Sequence, residues 1–291
     1  MAGNAWKWVV GCGIGCVVVL IIVAVLGGGS FYFLRGVARE LEETQRGMDA
    51  VAERFGRPAE FRPAAEGSIP PERIEAFLAV REAMAENRSE LEQKFALFHE
   101  GEGSDGEEGS GGMVGKIRAG FALPQQLMGF FTARAEALLE QRMGLGEYYY
   151  IYSLAYYSWL GNSLSDGPPF RLFGDYDQTR SWNREDFGEA DQFELREERA
   201  KRILRAVHSQ LLPMLRHQLE DLDAGGGPDA AGPWRDALAA EIAALEADSL
   251  RLPWADGLPE VIEASLGPFR DRLEQSYSTQ CNAMEFGLGH D

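Results

Sequence analysis

The chain has 291 residues, 45% of them hydrophobic, with 46 acidic and 28 basic side chains, a formal net charge of −18 and three cysteines. Residues 1–35 hold no acidic residue and only Lys7 and Arg35 among the basic ones, so the remainder carries 46 acidic against 26 basic groups, or −20. Such a surface repels phosphate backbones and disfavours nucleic acid as a partner, and Cys281, the lone cysteine beyond residue 35, leaves neither a disulfide framework nor a zinc cluster there.

Trp8 to Leu34 is a run of 27 residues without a charged side chain. As helix it would measure about 40 Å at ~1.5 Å per residue, against a hydrocarbon layer of about 30 Å, so it predicts one membrane span. Val17, Leu20, Ile22 and Leu26 lie in its aliphatic middle, with Trp8 at one edge and Phe31, Tyr32 and Phe33 at the other, where aromatic rings settle at the headgroup layers. A cleavable signal peptide competes with this reading, through the basic Lys7 and the small residues Gly28 and Ser30, although the apolar run resumes at Phe31. Arg35, Arg39 and Arg46 lean toward a cytoplasmic domain. A very short N-terminal tail before one span and a large domain is instead the shape of a bacterial signal anchor, and it favours the exported side of the cytoplasmic (inner) membrane.

The Gly/Cys-rich start GCGIGC, residues 11–16, resembles the N-termini of uncharacterised bacterial single-pass membrane proteins. The resemblance covers about the first 35 residues and implies an anchor but no activity.

Beyond the anchor (1–35) the pattern predicts an all-α protein: a helical stalk and hairpin over 36–99, an acidic Gly-rich tether over 100–112, and an irregular multi-helix domain over 113–291. In the stalk, Leu41, Met48 and Phe55 alternate with Val37, Thr44 and Val51 as a short heptad seam. It can pair two copies or lie on its own domain. Ser68, Pro70, Pro71 and Glu72 signal a helix start, and Ile74, Phe77, Leu78, Met84, Leu91, Phe95 and Phe98 continue one apolar stripe to about His99. In the tether, His99, Glu100, Glu102, Asp105, Glu107 and Glu108 read as solvated, with a hard cation as the alternative. Helical periodicity resumes at Met113, and Leu127, Met128, Phe130, Phe131, Leu138 and Leu139 give a broad apolar face.

Leu145 to Gly161, LGEYYYIYSLAYYSWLG, is the most unusual stretch. Tyr149, Tyr152, Tyr156 and Trp159 recur at 3, 4 and 3, which places them on one helical face. That face is either a pocket wall or a core surface, and solid packing there counts against a pocket. Every buried phenol needs a hydrogen-bond partner, and Arg134, Glu136 and Glu140 are the nearest candidates by sequence. Residues 162–191 form a long connection, a candidate lid or docking surface. Within it Asp175, Asp177, Thr179, Ser181, Asn183 and Asp186 imitate a calcium loop, but Arg180 stands where glycine is needed and Asp186 where glutamate is.

A long charged helix is expected from Phe193 to about Asp223, with Ile203, Leu204, Val207, Leu211, Leu212, Leu215 and Leu219 as its buried edge and Pro213 as a kink. Two short helices should follow, each after a Pro-Trp pair at Pro233–Trp234 and Pro253–Trp254. No G-x-S-x-G, P-loop, dinucleotide fingerprint or HExxH occurs. His208 and His217 lie on opposite sides of one helix, so they are not a ligand pair. No catalytic, cofactor-binding or metal-ligating residue is assigned, and no cofactor is called for. The expectation is a non-enzymatic, membrane-held scaffold or interaction protein, an accessory subunit of a membrane complex that binds other proteins or itself. A membrane-tethered small-molecule sensor or carrier with a tyrosine-rich pocket, and an enzyme of unrecognised type, are the alternatives.

Overall fold

The computed structural model describes residues 39, 42–100, 126–168, 189–225 and 232–286. Among them every regular element is helical and no strand occurs, so the fold is all-α. The expected span, with Trp8, Val17, Leu20, Ile22, Leu26, Phe31, Tyr32 and Phe33, lies outside the described residues. So do the tether from Gly101 on and the calcium-loop imitation at Asp175 to Asp186. No helix among the described residues is long and apolar enough to cross a membrane.

Helix α1 (42–55) turns its seam inward. Thr44 and Val51 are buried, Met48 and Phe55 half-buried, and the Thr44 hydroxyl meets that of Thr132 at 2.7 Å on α4 (126–140). A Cβ at Gly47 would lie 3.1 Å from Ala135, so the two helices touch nearly backbone to backbone. Where it is described, the seam is spent within the chain.

The expected single stripe from Pro71 is two helices, α2 (Pro71–Ala83) and α3 (Ala85–Glu100), joined at Met84. At the joint the Arg81 carbonyl accepts the Arg88 guanidinium at 2.6 Å. Insertion of a side chain into the carbonyl ladder is one of the recognised causes of a break in a long helix. Ile74, Phe77, Met84, Leu91 and Phe95 still fall on one buried side.

After α4, the chain enters α5 (Leu145–Tyr152) through Gly144. A Cβ on Gly146 would stand 2.3 Å from the Pro58 carbonyl oxygen, so only glycine lets α5 meet the 3-10 turn at Pro58–Glu60. Ten consecutive residues, Tyr148 to Tyr157, are buried, which fits the lack of a polar face in their sequence. The second half of this rod differs from expectation: Ser153–Trp159 is π-helix. The wider turn shifts the side-chain register, and Trp159 leaves the tyrosine face, half-exposed, with its ring under the Arg270 guanidinium.

Helix α6 (Glu189–Gly225) is described from four residues before Phe193, whose side chain is 70% exposed, and carries Pro213 inside it. Ile203, Val207, Leu211, Leu212 and Leu215 are buried as the period requires, and Leu204 and Leu219 half-buried. Burying each such side chain is worth about 1.5–3 kcal/mol. Helix α7 (Gly232–Ala247) packs along it with Leu238, Ile242 and Leu245. The second Pro-Trp pair does not start a helix. Trp254 sits in a turn with φ of +57°, its N–H donating to Glu241 at 2.7 Å, and its indole stacks on Trp234 at 5.8 Å. The next helix, α8 (Glu260–Leu266), waits for Pro259. A 3-10 turn (Gly267–Phe269), α9 (Arg270–Ser276) and α10 (Asn282–Glu285) complete the described chain.

Candidate functional site

The side chains with most chemistry in them converge at the centre, on α5. Its tyrosines and those of the π-helix that follows arrive there because alternate turns of a fully buried rod face different neighbours, and the hydroxyls of Tyr148, Tyr152, Tyr156 and Tyr157 find partners far away in sequence, whereas the Tyr150 hydroxyl has none among the described residues. Tyr148 donates to Glu285 Oε2 at 2.9 Å, and Tyr152 and Tyr157 donate to Asn282 Oδ1 at 3.0 and 2.7 Å. Tyr156 and Ser276 share a hydrogen bond of 2.6 Å. Of the partners suggested by proximity in sequence, Glu136 and Glu140 are exposed and take no part, since they occupy the outer face of α4. Only Arg134 reaches the cluster. Its guanidinium donates to the Glu285 main-chain oxygen at 2.6 Å and lies against the rings of Phe131 and Tyr149.

Two cations face one anion there. Arg81, on α2, is fully buried and pairs with Glu285 Oε1, with the Tyr148 hydroxyl at 2.9 Å and with the Ser276 carbonyl at 2.7 Å. Arg134 Nη1 is 3.8 Å from the other carboxylate oxygen. The excess positive charge is met by carbonyl oxygens and by ring faces, Tyr152 and Tyr156 lying 5.4 and 5.6 Å from the Arg81 guanidinium carbon. Burial works against the Arg81 charge, but Glu285 and the surrounding phenols outweigh it and hold the group well above the ordinary arginine value. Arg88, beside it, is pulled down by burial and by Arg81 itself. Burial likewise pushes the phenols of Tyr148, Tyr149, Tyr152, Tyr156 and Tyr157 up, so none ionises near neutrality. Burial also lifts the Cys281 thiol to about 12.

Tyr149, Tyr152 and Tyr156 are at most 5% exposed, so they wall no solvent-open cavity. Among the described residues, two clefts lie away from them. One, of about 390 Å³, is lined by Glu92, Phe95, Leu195, Arg199 and Gln280. Arg199 there is pulled down to about 10 by burial and by Arg202 and Arg196, and it donates to the Ser165 carbonyl at 2.9 Å. The other, of about 400 Å³, lies among Glu43, Asn87, Met128, Thr132 and Glu136. Glu147, at the head of α5, is gripped by Arg73 at 2.6 and 2.5 Å. His208 meets the Leu245 carbonyl at 2.9 Å between α6 and α7. Among the described residues no group of three His, Cys, Asp or Glu side chains is placed to hold a metal ion.

Arg81, Glu285, Asn282 and Ser276 were not singled out by pattern. A signal for Arg81 exists: it lies four residues after Phe77 and three before Met84, a charge on the apolar stripe. Arg134, among Phe130, Phe131 and Leu138, carries the same mark. Glu285 has none, being one acidic residue of 46. No protein-family model, curated protein or solved structure matches the chain.

Proposed function

We propose that the chain is a helical interaction or scaffold protein held at the bacterial cytoplasmic membrane by one span at Trp8–Leu34, its acidic domain on the exported side, serving as an accessory subunit of a membrane complex. One observation carries the reading. An uncharged 27-residue run stands ahead of a domain whose central polar cluster, Arg81, Tyr148 and Glu285, is 0% exposed and spent on holding helices together. Groups so placed cannot meet a substrate without unfolding, whereas an acidic outer surface suits contact with other proteins and an uncharged run of that length suits lipid. The fold alone assigns no activity, so the reading rests on this division of labour.

The test is extraction of the full chain from its native membrane. It should resist salt and alkaline washing, come off only with detergent, and elute with a stoichiometric partner or as an oligomer. Recovery of the unprocessed chain without detergent, or a clean monomer with no companion, would overturn the proposal.

A further inference from the structure

The cleft of about 390 Å³ lies where α3 and α6 face each other, away from the tyrosine face. Glu92, Phe95 and Ala96 line it from α3, and Leu195, Arg196 and Arg199 from α6, each set joined by the three- and four-residue steps that keep side chains on one side of a helix. The lining is divided by chemistry. Phe95 and Leu195, both buried, form its apolar part with Pro168. On the α6 side stand two cations. Arg199 is 6% exposed and donates to the carbonyls of Ser165 and Pro168, and Arg196 is exposed, with no ion pair or hydrogen bond among the described residues. On the side of α3 and the link after α9 stand two acceptors. Glu92 takes the Ser278 hydroxyl on Oε1 at 2.5 Å, and the buried Oε1 of Gln280 has no hydrogen-bond partner among the described residues.

The chain is shaped around the inner cation. Gly167, with φ of +154°, crosses the Arg199 guanidinium so closely that a Cβ there would stand 2.8 Å from Cζ and Nη1, which only glycine avoids. Burial and the like charges of Arg202 and Arg196 together pull Arg199 down to about 10, with Asp166 working the other way, in a chain whose net charge is −18. A positive cleft in so acidic a protein favours an anion. An anion alone would leave Glu92 and Gln280 without a role. We propose that the cleft binds a free α-amino acid with an apolar side chain, its carboxylate toward Arg196 and Arg199, its ammonium toward Glu92 and Gln280, and its side chain on Phe95, Leu195 and Pro168. A plain carboxylic acid, or a plain amine, would match two of these three parts; an amino acid matches all of them. The volume stands near the lower end of the range for small-molecule sites, about 300–1,000 Å³, which suits so small a ligand. The site needs neither the span nor a protein partner, so it stands or falls apart from the interaction reading above.

Equilibrium dialysis of the full-length chain, in a detergent with an uncharged headgroup, against radiolabelled L-leucine and L-phenylalanine provides the test. At least one should bind saturably, a single molecule per chain. Arg196→Gln and Ala96→Trp, both at exposed positions, should each weaken that binding about tenfold or more while the thermal melt of the domain stays the same. The deamino analogue of the amino acid that binds, 4-methylpentanoate or 3-phenylpropanoate, keeps the carboxylate and the side chain and should compete about tenfold less well, as should the amide, which keeps the ammonium and loses the carboxylate. No saturable binding of either amino acid at millimolar concentration overturns the inference. Binding that both substitutions leave unchanged overturns it too, since the ligand then sits elsewhere, and so does a deamino analogue that competes as well as the amino acid, since Glu92 and Gln280 then read nothing.

Discussion

On the side of α6 and α7 the core is mainly aliphatic: Ile203, Val207, Leu211 and Leu215 meet Leu238, Ile242 and Leu245, with Gln218 and Glu241 as buried polar exceptions, and ion pairs such as Arg216–Glu246 stay on a rim where both side chains are about half exposed. On the side of α5 and α10 the core is tyrosine, arginine, asparagine and glutamate, in which Arg81, Tyr148, Tyr152, Tyr157, Asn282 and Glu285 are joined across 67 to 204 residues of sequence. The first kind of core tolerates changes that keep volume and pattern. The second tolerates almost none, because a missing partner leaves a charge or hydroxyl stranded in a dry interior. One chain uses both, and the directional half is the one that fixes where its last described helix must sit.

The sharpest way to break this contrast is Glu285→Gln. It strands Arg81 and Arg134 together and should cost about 3–5 kcal/mol of stability, read by denaturant unfolding of the domain. A loss under about 1 kcal/mol, the size of an exposed pair, would erase the distinction between the two halves.

Alkaline pH should come next in size and act through the tyrosine half alone. The Cys281 thiol and the phenols of Tyr148, Tyr152, Tyr156, Tyr157 and Tyr277 are all raised by burial. Unfolded, these groups release protons from about pH 8.5 for the thiol and about pH 10 for the phenols, while the folded chain retains them. Their contribution is therefore complete below the unfolded values and falls as pH rises through them. Thermal melts should hold level from pH 7 to 8 and drop steeply above about pH 9–10. A flat profile to pH 11 would mean that the phenols are already solvated. The smallest effect should follow Arg216→Ala on the other half: at most about 1 kcal/mol, weaker still in high salt.

The sequence reveals these halves unequally, for the same physical reason. A helical period marks the buried edge of α6 from Ile203 to Leu219, because an apolar stripe is a local signal. The ten buried residues from Tyr148 to Tyr157, in α5 and the π-helix after it, are likewise marked by the absence of a polar face. Glu285 carries no such mark, since a carboxylate's partner is a matter of distance in space. Nor does composition show that Ser153–Trp159 widens into a π-helix and turns Trp159 aside, or that Trp254 adopts a left-handed backbone where a helix start was expected. Those are choices made by tertiary contacts, Glu241 on the Trp254 N–H and the Pro253 carbonyl on the Ser158 hydroxyl at 2.7 Å among them.

The stacked indoles of Trp234 and Trp254, 5.8 Å apart and inclined by 26°, give the aliphatic half an optical voice of its own. Two such chromophores at that range couple their excited states, so their joint circular dichroism should carry a paired positive and negative band that neither gives alone. Following that couplet beside tyrosine absorbance would time the departure of each half from the native state in one cuvette, without labels.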